Sequence, residues 1–156
     1  MDVAVLQRIA EELDELITAG FVNKIHQPLP RDIVIRIRTP RDGEKKLMLS
    51  ADPALGRMHL TDMRIPNPPS PPRFCAYLRA HFQGSRITAV RAADDDRVVR
   101  ITGTRGPEGA RTQKALILEL LGRDSNMVLV DPATGLILEC LHRIPSKETG
   151  TRVVMP

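Results

Sequence analysis

Much of this chain alternates apolar and polar residues with a period of two, and that alternation restricts it to architectures built around a sheet. Residues 33–38, IVIRIR, set Ile33, Ile35 and Ile37 on one face and Arg36 and Arg38 on the other, the pattern of a strand with one dry and one wet side. Similar runs occupy 21–27, 45–51, 57–61, 86–93 and 97–104, and their links are short: PRDGEK at 40–45 and an acidic turn ending in Asp94, Asp95 and Asp96. Links this short favour an antiparallel meander. KALILELLG at 114–122 is apolar enough for either a helix or a strand. Its neighbours SNMVLV and LILECLHRI are joined by the hairpin loop DPATG, so a strand is expected there too.

Two helices interrupt the alternation. Val5, Leu6, Ile9, Leu13, Leu16 and Ile17 follow helical spacing after Asp2, a cap residue, with acids expected in the first turns and Gly20 as the stop. The second follows five prolines in the seven residues 66–72, and its segment carries three of the chain's four aromatic residues. Proline fixes φ near its helical value and lacks an N–H, so Pro71 or Pro72 is expected to open a helix that Gly84 closes. Phe74, Cys75, Leu78 and Phe82 are expected on its buried face, and Arg73, Tyr77 and Ala80 on the opposite one. That leaves Arg73 and Tyr77 as candidates for an RNA or partner contact.

At 156 residues the chain fits one domain with a full core. Its acid-bearing start is no signal peptide, and no apolar run nears the roughly eighteen residues of a membrane span, so a cytoplasmic protein without a membrane association is expected. Cys75 and Cys140 are read as buried thiols. The formal charge of +4, with 18 arginines among 23 basic residues, suits an anionic partner such as RNA, because the guanidinium fork matches phosphate. No nucleophile turn, metal-ligand spacing or glycine-rich phosphate loop accompanies the four histidines, so neither catalytic residues, nor a metal, nor a cofactor is expected. GRDSN at 122–126 reads as a tight turn. Asp96-Arg97 opens a strand, where the fork can reach a phosphate or base edge.

Together KIHQP at 24–28, KLMLSADPALGRMHLT at 46–61, NPPSPPRFCAYLRAHFQGSRI at 67–87, Asp96-Arg97, ELLGRDSNMVLV at 119–130 and RVVMP at 152–156 resemble the N-terminal domain (NFACT-N) of the NFACT, or fibronectin-binding protein A, family. The similarity runs through the whole chain. His26 departs from the family's usual tyrosine, Leu121 from a frequent methionine and Asp124 from a common histidine, which affects fine contacts.

The resemblance implies a single NFACT-N domain over 1–156, excised from a longer chain with helical and RNA-binding regions. It implies an α+β fold: an antiparallel β-sandwich-like sheet with a long N-terminal helix and a second helix near 72–83, similar to the N-terminal domain of formamidopyrimidine-DNA glycosylases. Those enzymes attack with an N-terminal proline amine followed by a glutamate; this chain begins Met1-Asp2-Val3, so a glycosylase-like processing role is the weaker alternative. The implied function is that of a bacterial ribosome quality-control factor. It binds tRNA and the large ribosomal subunit, including its rRNA, and supports template-free alanine tailing of stalled chains, with Asp96 and Arg97 matching the Asp-Arg motif implicated in tailing. A surface adhesin is the alternative suggested by the fibronectin-binding name. Nothing in the sequence indicates the oligomeric state.

Overall fold

The computed structural model describes residues 1–143; the RVVMP segment lies outside the described residues. Over the described residues the fold is α+β, with nine antiparallel strands in one sheet and two α-helices. Helix α1 is Val3–Ile17, followed by β1 Phe21–Leu29, β2 Asp32–Arg38, β3 Glu44–Ser50 and β4 Arg57–Thr61. Helix α2 is Arg73–His81, and after it come β5 Arg86–Ala92, β6 Val98–Arg105, β7 Thr112–Glu119, β8 Asn126–Val130 and β9 Ile137–Cys140. The ambiguous segment from 114 is a strand, β7, that ends at Glu119.

The sheet order β4-β3-β2-β1-β5-β6-β7-β8-β9 is two meanders joined at one seam. There β1 and β5 share a single ladder pair, Phe21 opposite Arg86. The chain around α2 reinforces it: the Gly84 N–H donates to the Val22 carbonyl, the Val22 N–H to Ser85, and the Ile25 N–H to the Gln83 side chain. Both meanders feed one core. Ile33, Ile35, Leu47 and Leu49 from one side join Ile101, Leu116, Leu118 and Leu129 from the other, with Leu6, Leu13 and Ile17 of α1 and Phe74, Leu78 and Phe82 near α2. A smaller apolar cluster of Ala115, Val128, Val130 and Cys140 explains why every position of β8 is buried.

Asp2 caps α1 as expected, its carboxylate accepting from the Val5 N–H at 2.8 Å. The expected first-turn acids are absent; Glu11, Glu12, Asp14 and Glu15 lie in the helix's later turns. The stop also differs in detail. Ala19, not Gly20, takes the left-handed conformation, at φ 69°, while Gly20 is needed because a Cβ there would lie 2.6 Å from the Ile17 carbonyl oxygen. Asp14 fastens the helix to β5 by accepting the Val90 N–H at 2.8 Å and pairing with Arg91 at 2.7 Å.

Helix α2 begins one residue later than expected. Pro72 is its N-cap, with an extended ψ of 163°, because a cap residue is still outside the helix. Phe74, Cys75, Leu78 and Phe82 are fully buried, and Gly84 closes the segment at φ 88°. Tyr77 is not on the opposite face: three residues beyond Phe74, it is only about 60° away around the helix and packs partly buried against the core.

Candidate nucleic-acid interface

Asp96 and Arg97 close the turn between β5 and β6. The Asp96 carboxylate accepts the Arg97 backbone N–H at 2.8 Å, so the acid first organises its own turn. The Gln7 side chain of α1 holds the Ala93 and Asp94 carbonyls, and the Leu120 N–H donates to the Arg97 carbonyl at 2.8 Å. The backbone is thus fixed from two sides while both side chains stay exposed. Among the described residues no carboxylate lies within ion-pair distance of Arg97, so its guanidinium is free to bind an anion.

The link through Leu120 brings a second motif to the same end of the sheet. Gly122–Asp124 forms a single 3-10 turn, with Gly122 at φ 63° and Arg123 exposed, as the turn reading of GRDSN anticipates. Behind it Asn126 is fully buried and latches β8 to the end of β9, donating to the His142 carbonyl and accepting the His142 N–H. The 51–57 loop reaches this end too, since a Cβ on Gly56 would lie 2.8 Å from Leu120 Cδ2.

Among the described residues no hydrogen bond or ion pair joins Arg73 or Tyr77 to Asp96-Arg97. Arg73 is exposed, but its guanidinium is engaged within the molecule: it pairs with Glu139 on β9 at 2.5 Å and donates to the Cys140 and Leu141 carbonyls. Burial pushes the Glu139 carboxyl up, but the Cys140 N–H, Arg73 and Arg143 together hold it below its ordinary value. Tyr77 stacks obliquely on His81, ring centroids 4.2 Å apart.

The alternation in the sequence shows Arg36 and Arg38 on the wet face of one strand but not what the neighbouring strands place beside them. Register sets Arg36 opposite Lys24 on β1 and Lys46 on β3, forming a three-cation row. Arg38 lies over the Phe21 ring at 5.1 Å, a cation–π contact, and Phe21 also lines a shallow depression with Arg86, Arg105 and Arg111. Among the described residues no group of acids, histidines and cysteines could hold a metal ion, and no helix is long and apolar enough to cross a membrane.

A family model described as NFACT N-terminal and middle domains matches residues 2–156. The chain belongs to the NFACT family. This NFACT domain is 36% identical over 149 residues to the Rqc2 homolog RqcH of Bacillus subtilis, covering 95% of the chain and 26% of that relative. The RqcH of Streptococcus pneumoniae is 35% identical over 152 residues, 97% of this chain and 27% of its own length. The chain therefore spans about a quarter of those relatives. In structure it matches the N-terminal domain of the fibronectin-binding protein PavA of Streptococcus pneumoniae, with a TM-score of 0.92 and 35% identity over 99% of this chain and 58% of that one.

Proposed function

We propose that this domain is the N-terminal module of a cytoplasmic ribosome quality-control factor, contacting tRNA and the large ribosomal subunit and supporting template-free alanine addition to stalled chains. The observation that carries this reading is the similarity to proteins named RqcH along almost the whole chain. The exposed Asp96-Arg97 turn gives it a physical basis, since a guanidinium with no acid partner among the described residues retains its fork for phosphate or a base edge. The ribosome performs peptidyl transfer in this reading. The domain positions RNA and supplies no catalytic group.

The test uses the natural gene product that carries this domain. It should pellet with large subunits that hold peptidyl-tRNA in preference to empty ones, and it should extend stalled chains with alanine in a reconstituted assay. Asp96→Ala with Arg97→Ala is expected to abolish extension while leaving subunit binding and folding nearly unchanged. Asp96→Asn, which can still accept the Arg97 N–H, separates loss of the carboxylate from loss of the turn. Arg97→Lys should also impair extension, because charge without the planar fork is insufficient. Wild-type extension by the double variant would return the motif to an ordinary surface turn. Indifference to the obstructed subunit, with the protein displayed on intact cells, would favour the adhesin reading drawn from neighbours named for fibronectin binding.

A further inference from the structure

The outer face of β1–β3 holds an arrangement that stability alone does not explain. Lys24, Arg36 and Lys46 stand directly opposite one another across three strands, and like charges so placed repel. One carboxylate, Glu44, offsets them, reaching Arg36 at 2.8 Å. The Arg36 Nε–H is buried and has no acceptor among the described residues, a costly state for a guanidinium donor.

These groups border a cavity of about 330 Å³ lined by Arg36, Lys46, His26, Val34 and Pro28 of the sheet and by Met63, Arg64, Ile65 and Asn67 of the segment before α2. None of the lining residues is acidic. Arg79 of α2 adds a fourth charge beside the wall: its Nε donates to the Ile25 carbonyl at 2.7 Å, and its Nη2 lies 3.3 Å from His26 Nδ1. A guanidinium can only donate, so Nδ1 accepts and the neutral ring carries its proton on Nε2. Burial, followed by Arg79, Arg36, Lys24 and Lys46, pushes the His26 pKa down. Every charged residue lining the cavity is a cation, and Glu44, which pairs with Arg36, is not part of the lining, so the wall suits an acceptor-rich anion.

We propose that this cavity binds the phosphate of a nucleotide, with Arg36, Lys46 and Arg64 on its oxygens and the sugar or base against Pro28, Val34, Met63 and Ile65. Several donors arriving from three separate segments suit the oxygens of a phosphate better than a planar carboxylate. The volume exceeds that of a bare phosphate, and Met63, 69% exposed at the rim, offers an apolar surface to a base. This deepens the RNA-binding reading and rests on it for the source of the nucleotide. The pocket is nevertheless separate from Asp96-Arg97. From their shared pair at Phe21 and Arg86, antiparallel β1 and β5 leave in opposite directions, one towards His26 and the other towards the Asp96 turn.

The test is nuclear magnetic resonance titration of the 156-residue chain with AMP, adenosine, inorganic phosphate and a short single-stranded oligo(A). AMP or the oligonucleotide should perturb residues 26, 34, 36, 46 and 64, while adenosine at the same concentration should not. The nearby anion should raise the His26 titration midpoint. Arg64→Glu, at an exposed position, should weaken binding about tenfold or more, with an unchanged urea midpoint confirming its fold. A response to AMP identifies a mononucleotide pocket; a response to oligo(A) alone identifies a phosphate within an RNA chain; either supports the assignment. No response to either, or perturbations spread over all exposed arginines and unaltered by Arg64→Glu, overturns it. The proposed function fails separately: nucleotide binding here with no preference for obstructed subunits would preserve the pocket and reject the quality-control role.

Discussion

At the scale of single residues, α2 shows how one helix divides packing from tethering. Phe74 is fully buried in the common core, so Phe74→Ala should cost about 3–5 kcal/mol in chemical denaturation. Tyr77 only borders that core, and Tyr77→Ala should cost about 1 kcal/mol; equal losses would show that the two rings contribute alike. Arg73 acts through Glu139, whose side chain is 9% exposed while that of Arg73 is 45% exposed. Removing Arg73 leaves the buried carboxylate with Arg143 at 3.4 Å, and solvent at the arginine end moderates the loss to about 1–2 kcal/mol. The sign of its pH dependence follows. Glu139 is held below its ordinary 4.5 in the folded protein, so its stabilisation is present above that value and is lost as pH falls through the lowered folded pKa. The stability gap between wild type and Arg73→Ala should therefore be widest near neutrality and narrow in acid; a gap independent of pH would exclude this tether.

At the scale of elements, what could be read from the sequence depended on the range of the interaction that decides each feature. The strands from 33 and 86, the Asp2 cap and the buried stripe of α2 follow from near neighbours along the chain. The end of α1 was legible only in outline, because a glycine at 20 announces a stop without saying which residue turns left-handed. Ala19 carries that strain at φ 69°, so Ala19→Gly should stabilise the protein by up to about 1 kcal/mol, while Gly20→Ala should destabilise it by forcing a Cβ against the Ile17 carbonyl. Thermal melts of the two variants would check this, and a loss of stability in Ala19→Gly would remove the assigned strain. The candidate site divides in the same way. Asp96-Arg97 is contiguous and visible as a string, whereas the Lys24–Arg36–Lys46 row exists only through the register of three strands, and the approach of Gly56 to Leu120 joins residues far apart in sequence.

For the whole molecule, the thin seam between the meanders poses a mechanical question, since one ladder pair cannot by itself hold a four-stranded and a five-stranded half together. The core answers it. Ile35 and Leu47 on one side and Leu116 and Leu129 on the other belong to the same buried cluster, with α1 from the start of the chain and the α2 segment from its middle contributing to it. Opening either half would expose the apolar face of the other, so the halves should unfold together. Hydrogen exchange under native conditions is expected to give the slowest amides of β2 and β7 the same opening free energy, and that value should match the global stability from denaturant unfolding. A lower value for β2 through β4 would mean that the first meander opens independently on its seam. A shared value would mean that the Asp96-Arg97 turn and the basic cavity on β1–β3 are carried by one cooperative unit, so an RNA engaging both would meet them at a fixed separation.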